Sequence, residues 1–376
     1  MGVASASRRG PFSARCLTLP HTFTDPSGLS RYGWTDALDQ DFTEHYEAGL
    51  LPARISRVDR GLCSAITASG PVRATFAAPH GPDPLLTPCT GDWAALRPGT
   101  DPHLVALLPR HSAIVRSPAS GSSHGQVLAA NIDTVVIALS LAVPLDAAKL
   151  ERLLALAWES GAQPVMVLTK ADLVADPEAA YAEAGALAPG VDVLVTSVAT
   201  GRHIDALAAL LRGTTVLLGP SGAGKSSLGN ALLGEERLAT GAVRTQDGKG
   251  RHTTVSRELV PLPGGGVLID TPGLRGISLH DAADGLEQVF AEIEHLARAC
   301  RFSDCAHDSE PGCAVQAAIR AGELPQRRLD SYRKLRRENA WAASRTDARL
   351  RDERARRQKA ITSHLRATYK FRDQQP

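Results

Sequence analysis

Two hydrophobic rhythms divide this chain. Between residues 51 and 115 apolar and polar positions alternate in short runs broken by Gly and Pro: Ala53-Arg54-Ile55-Ser56-Arg57-Val58, Leu62-Cys63-Ser64-Ala65-Ile66-Thr67, Val72-Arg73-Ala74-Thr75-Phe76 and Leu104-Val105-Ala106-Leu107-Leu108. A period of two is that of half-buried strands. About five of them in so short a segment fit a small barrel, of which the OB-fold is the common nucleic-acid-binding version. Gly91-Asp92-Trp93 falls at the expected turn between two strands. Arg54, Arg57, Arg60 and Arg73 are candidates for phosphate contacts, although isolated arginines on a barrel read first as a solvated face.

From residue 131 the rhythm changes. Apolar runs at residues 134–139, 164–168, 191–196, 214–218 and 267–269 alternate with helix-compatible stretches such as residues 146–160. Strands buried on both faces with helices between them predict a parallel, doubly wound α/β sheet over residues 131–283. The Ser/Gly-rich stretch 116–130 reads as a linker, residues 284–340 as a small helical domain, 1–50 as an N-terminal extension and lead-in, and 341–376 as a basic tail.

The strongest chemical signal follows the run 214–218. Gly219-Pro220-Ser221-Gly222-Ala223-Gly224-Lys225-Ser226, continued by Ser227, is a complete G-x-x-x-x-G-K-[ST] phosphate loop between a strand and a helix. Its glycines let backbone N–H groups surround a polyphosphate, Lys225 bridges the β and γ phosphates, and Ser226 offers a hydroxyl to Mg²⁺. Upstream, Thr169-Lys170-Ala171-Asp172 ends another strand and is similar to the guanine-reading N-K-x-D motif. A carboxylate at Asp172 accepts both donors of the guanine edge, whereas adenine presents an acceptor there, so GTP is selected over ATP. Ser197-Val198-Ala199 resembles the S-A-x loop that covers the guanine O6.

Downstream, Asp270-Thr271-Pro272-Gly273 matches a D-x-x-G switch, with Asp270 reaching Mg²⁺ through water and the Gly273 N–H meeting the γ-phosphate. Gly250-Arg251-His252-Thr253-Thr254 reads as the other switch, with Thr253 or Thr254 bringing a hydroxyl to Mg²⁺. The order of these motifs is that of a circularly permuted GTPase: the guanine motifs precede the phosphate loop instead of following it. Chain termini lie close together on domain surfaces, so such a cut is tolerated.

Composition adds two points. Cys300, Cys305, His307 and Cys313 form a C-x4-C-x-H-x5-C set that fits a closed, structural tetrahedral Zn²⁺ site, expected between helices at about 286–299 and 314–321. Cys16, Cys63 and Cys89 are scattered and are expected as free thiols in a reducing compartment. The net charge of +2 hides segregation, because residues 326–376 hold 16 Lys/Arg against 6 Asp/Glu. That excess favours a polyanion-binding arm over a merely solvated helix. No run is apolar enough to span a bilayer, since the best, 127–145, contains Asn131 and Asp133.

The barrel, the permuted motifs and the cysteine set together resemble the RsgA/YjeQ family of circularly permuted, small-ribosomal-subunit-dependent GTPases, from about Tyr32 to Arg337. The resemblance implies an α/β fold in which a circularly permuted P-loop GTPase domain is flanked by an N-terminal OB-fold β-barrel and a C-terminal α-helical zinc-binding domain. It also implies GTP/GDP, Mg²⁺ and one Zn²⁺ as cofactors, and a cytoplasmic monomer acting in late maturation of the small (30S) subunit. Hydrolysis would be stimulated by that particle, and the barrel and zinc domain would hold its rRNA. Two departures stand out. Thr169 replaces the usual Asn, which is expected to lose a tie between base loop and phosphate loop, and Val198 replaces a small Ala.

Hydrolysis needs a group that orients water. Leu274, just after the D-x-x-G glycine, cannot hydrogen-bond, so His252 is the catalytic candidate beside Lys225, as the resemblance also suggests. Two other readings stay open: a metabolic P-loop kinase, which Asp172 and the motif order oppose, and a GTP-binding RNA assembly factor that does not hydrolyse.

Overall fold

The alternating runs close on themselves. In the computed structural model, which describes residues 27–76, 86–116, 126–238, 257–270 and 282–346, the strands β1 (Leu51–Val58), β2 (Leu62–Thr67), β3 (Gly70–Phe76), β4 (Trp93–Arg97) and β5 (His103–Leu107) form a closed barrel in the order β1-β2-β3-β5-β4. β3 and β5 run parallel and the other pairs antiparallel. Its interior is filled by Ala53, Ile55, Cys63, Ala65, Ala74, Ala94, Leu96 and Leu104. Small side chains suit the narrow bore of a five-stranded barrel.

Residues 27–50 are no loose extension. Around the short helices α1 (Ser27–Ser30), α2 (Asp36–Asp41) and α3 (Thr43–Glu47), Leu29 of α1 and Tyr32, Trp34, Phe42 and Leu50 of the turns beside them enter the main core. The Trp34 ring meets Phe42 and Trp93 edge-on at centroid distances of 5.7 and 4.8 Å. The expected linker is also shorter than the sequence suggested: β6 (Ala113–Arg116) pairs antiparallel with β7 (Gln126–Ala130). Residues 127–130 are apolar and buried, which draws them into a strand.

The second domain is the doubly wound sheet. β8 (Thr134–Ser140), β9 (Gln163–Thr169), β10 (Asp192–Val195), β11 (Thr214–Leu218), β12 (Glu258–Pro261) and β13 (Val267–Asp270) assemble in the order β10-β9-β8-β11-β13-β12, parallel except for β12. Alternate residues of β8 serve opposite faces: Val135, Ile137 and Leu139 join one core cluster and Val136 the other. The helices α4 (Ala147–Glu159), α5 (Pro177–Leu187), α6 (Ile204–Leu210) and α7 (Lys225–Leu233) flank the sheet. The start of α4 is chemical, with the Asp146 carboxylate accepting from the Lys149 N–H as N-cap.

Barrel and sheet share a buried polar seam. Arg54, which the alternation placed as a candidate for phosphate contacts, is only 1% exposed and reaches no solvent-borne anion. Its guanidinium donates to the Thr214 hydroxyl at 2.8 Å and the Asn131 carbonyl at 3.3 Å and stacks on the Trp93 ring at 4.6 Å. Burial lowers its pKa to about 10, against the opposing charges of Asp133 and Asp92. Arg57 and Arg73 share Asp59, so two more of the barrel arginines are occupied by an ion pair.

The C-terminal helices α8 (Ala283–Val289), α9 (Ala291–Ala297), α10 (Ala314–Ala321) and α11 (Gln326–Thr346) complete the described chain. The single helix expected at about 286–299 is broken at Phe290, whose fully buried ring is held by Tyr332 and Arg328. α8 lies against α4 so closely that a Cβ on Gly285 would stand 2.2 Å from the Ala155 carbonyl. The buried Glu151 of α4 accepts from Arg328 at 2.8 Å and from Ser331, so the domain is docked by an enclosed ion pair.

Candidate nucleotide-binding site

The phosphate loop stands where the sequence placed it. β11 is buried throughout and delivers the chain to Gly219, whose φ of +141° and approach to Ala138 admit no side chain: a Cβ would lie 2.2 Å from that carbonyl oxygen. Gly222 and Gly224 also hold positive φ, and Gly224 caps α7, so N–H groups of the first helical turn converge on the loop. Lys225 Nζ donates to the carbonyls of Gly219 and Pro220, each at 2.8 Å. The ammonium is thus held over the loop, where phosphate oxygens are the stronger competing acceptors.

The guanine motif is tied to this loop. The Thr169 hydroxyl donates to the Ala223 carbonyl at 2.7 Å, with the Leu139 carbonyl second at 3.2 Å. A hydroxyl has one proton, and the shorter contact takes it. The expected loss of the tie on replacing Asn therefore does not occur: threonine keeps the link with its hydroxyl. Lys170, in the left-handed region at φ +61°, adds a bond from Nζ to the Gly222 carbonyl at 2.8 Å. Asp172 is exposed, and its Oδ1 accepts from the Ser197 hydroxyl at 2.5 Å, which fixes the carboxylate next to the S-V-A loop. Ser197 is buried and Val198 is exposed.

For Mg²⁺, β11 and β13 pair in parallel up to Val216 and Ile269, which sets Asp270 beside the start of the phosphate loop that carries Ser226. Burial, and then the Glu258 carboxylate opposite in register, raise the Asp270 pKa above the ordinary carboxylate range. Asp270 would hold a divalent cation here, which would supply the countercharge that such an acid lacks and offset the charge of the β and γ phosphates. His252, Thr253, Thr254, Gly273 and Leu274 lie outside the described residues.

Cys300, Cys305, His307 and Cys313 bring their ligand atoms within 4.8 Å of one another. Cys300 Sγ to Cys313 Sγ is 3.8 Å, and His307 Nδ1 stands 3.6 and 3.5 Å from these two sulfurs. Zn–S bonds of about 2.3 Å and a Zn–N bond of about 2.0 Å at tetrahedral angles require edges of roughly 3.8 and 3.5 Å, so the donor set fits zinc. Although burial acts to raise it, the Cys300 pKa is lowered, because backbone N–H groups of Val315 and Ala314 at the start of α10 stabilise the thiolate. Burial, and then Arg333, lower that of His307, which keeps the imidazole neutral as a ligand must be.

Sequence reasoning missed the residues that join the parts. Asp92 is fully buried and holds Arg110 at 2.6 Å, and the Glu151–Arg328 pair docks the C-terminal helices. The only signal was a charged residue inside an otherwise apolar helix face at Glu151.

A permuted sheet with its base loop knotted to its phosphate loop defines a circularly permuted P-loop GTP-binding protein. Two solved structures share the fold: YjeQ from Thermotoga maritima (TM-score 0.58, 23% identity, 76% of this chain and 97% of that one), and YloQ, a circularly permuted GTPase (TM-score 0.55, 24% identity, 76% and 93%). The profile described as RsgA GTPase matches residues 107–280. The small ribosomal subunit biogenesis GTPase RsgA of Streptomyces coelicolor is 58% identical over 344 residues, 90% of this chain and 93% of that protein. The RsgA of Streptomyces avermitilis is 57% identical over 89% and 92%, and RsgA 2 of Lactiplantibacillus plantarum 43% over 83% and 90%. The chain belongs to the RsgA GTPase family.

Proposed function

We propose that this protein hydrolyses GTP in the maturation of the small ribosomal subunit, the role stated in the names of its close relatives. The observation that carries the nucleotide half is the Thr169–Ala223 bond, which makes one preformed cleft of the guanine reader and the phosphate cradle. Asp172 reads the base, the phosphate loop with Lys225 and Ser226 holds the polyphosphate, Asp270 and a switch threonine serve Mg²⁺, and His252 orients water. The particle's rRNA is held by the barrel and the zinc domain, and its contact with the GTPase domain raises a slow intrinsic turnover. No helix among the described residues is long and apolar enough to cross a membrane. A cytoplasmic monomer fits this reading.

The test is GTP turnover by the purified protein with and without small subunits, with ATP and large subunits as controls. Stimulation by the small subunit alone, lost in His252→Ala with GTP affinity retained, is the expected result. Stoichiometric binding of GTP on the particle without turnover would replace this reading by a non-hydrolysing assembly factor.

A further inference from the structure

The strand β10 stands at an edge of the sheet, with β9 as its one neighbour. Just past its end, Thr196 turns both backbone groups toward β9 and the guanine motif. Its N–H donates to the Leu168 carbonyl at 2.7 Å, and its carbonyl accepts from the Ala171 N–H at 3.1 Å. Backbone groups alternate along extended chain, so the carbonyl of the buried Val195 points the other way, where no further strand follows. His203 supplies the partner that a strand would have supplied. Its Nδ1 lies 2.8 Å from the Val195 oxygen, and because a carbonyl only accepts, Nδ1 carries the proton.

His203 holds this bond from the left-handed region, at φ +54°. The chain before it is a closed loop: the Ser197 N–H donates to the Arg202 carbonyl at 3.2 Å, and the Thr200 N–H donates to the Ser197 hydroxyl at 3.2 Å. That loop has two feet. One is Ser197, whose hydroxyl donates to Asp172 at 2.5 Å, and the other is His203 on Val195. Fastened at Ser197 alone, the loop could pivot about that foot and carry its backbone N–H groups away from Asp172.

We infer that His203 is a positioning residue for guanine recognition. By tying the return of the loop to β10, it fixes the separation between the N–H groups that cover O6 and the carboxylate that reads N1–H and the 2-amino group. Guanine offers these groups on one rigid edge, so a fixed separation lets both contacts form together. The inference deepens the reading of this cleft as a guanine site and rests on it.

The test is calorimetric binding of GDP, inosine diphosphate and 6-thio-GDP to the full-length protein and two variants. Inosine diphosphate lacks the 2-amino group, whereas 6-thio-GDP keeps both donors and replaces O6 by sulfur, a weak acceptor. His203→Gly suits the positive φ and removes only the side-chain tie. It is expected to bind GDP and inosine diphosphate about fivefold more weakly than wild type. On 6-thio-GDP the loss should shrink to within about twofold, because the contact being positioned is already weakened. His203→Asn tolerates the left-handed region and carries its amide nitrogen at the same bond distance as Nδ1, so it should recover GDP binding. A merely structural role would weaken all three nucleotides alike. Equal losses on all three, unchanged GDP affinity in His203→Gly, or no recovery in His203→Asn would overturn the inference. A wild-type protein that binds ADP as tightly as GDP would remove the guanine reading and the inference together. One that prefers GDP and discriminates against 6-thio-GDP, with His203→Gly behaving identically, would keep that reading and overturn the inference alone.

Discussion

The Arg54 guanidinium and the Thr214 hydroxyl meet at 2.8 Å inside the protein, joining the first barrel strand to the first residue of the strand that bears the phosphate loop. The two domains therefore meet through a charge, and that charge has no route to solvent.

Replacing Arg54 by Met strands the Thr214 hydroxyl and the Asn131 carbonyl and removes the cation over Trp93. At about 1–3 kcal/mol for a stranded buried group, the expected loss is about 2–4 kcal/mol of unfolding free energy. Urea unfolding followed by tryptophan emission measures it. A loss below about 0.5 kcal/mol would show the seam to be passive.

Thr169→Ala removes the donor to Ala223 and leaves the base loop untied. One neutral hydrogen bond of about 1 kcal/mol corresponds to about fivefold weaker GDP and GTP binding. Thr169→Ser keeps the hydroxyl and is expected to bind like wild type, a comparison that calorimetry decides.

Asp172→Asn replaces a double acceptor by a group that also donates, so guanine's 2-amino group faces another donor. GTP affinity is expected to fall at least about 100-fold. Xanthosine triphosphate, whose carbonyl replaces the 2-amino donor, should bind the variant better than GTP does. A variant that still prefers GTP would move base recognition elsewhere.

One zinc per chain is expected by metal analysis, lost in Cys313→Ser. Because the four ligands staple a short loop between helices, chelation should lower the melting temperature. It should leave GDP affinity nearly intact, since the nucleotide loops lie on the other domain.

Asp133 supplies a pH test. Burial alone acts to raise its pKa, but His111, the Thr214 N–H and Arg54 outweigh it and the net shift is downward. A carboxyl depressed on folding stabilises the protein above its unfolded pKa of about 3.9 and loses that contribution as the pH falls through the lower folded value. Asp133→Asn should therefore destabilise at pH 7 and converge on wild type in strong acid. A gap that persists at pH 2 would assign the effect to shape instead of charge.

Residues whose chemistry is local were legible in the sequence. The phosphate loop needs glycines at positions with positive φ, and the zinc loop holds its ligands within fourteen consecutive positions, so spacing alone placed both. Residues that join distant parts were not. Arg54 alternates like any outward barrel residue, and only the sheet packed over that face turns it inward. Trp34 and Phe42 stand in a stretch with no strong periodicity, and their burial depends on Trp93, which is remote in sequence. Thr169 in place of Asn looks like a loss in the sequence, where the position of the Ala223 carbonyl that accepts from its hydroxyl is not written.

The permuted strand order also governs how the polypeptide is made. β8, β9 and β10 are synthesised before β11, yet in the finished sheet β11 lies directly against β8. As the nascent chain leaves the ribosome, the guanine-reading half can zip together first, with the row Val135, Val136, Ile137 and Ala138 presenting an unpaired strand edge, although all four are fully buried in the end. That edge must wait for the whole of α6 and the turn after it before the phosphate-loop strand arrives to close it. The protein most exposed to misassociation is thus the one still being translated, in the interval between its two nucleotide motifs.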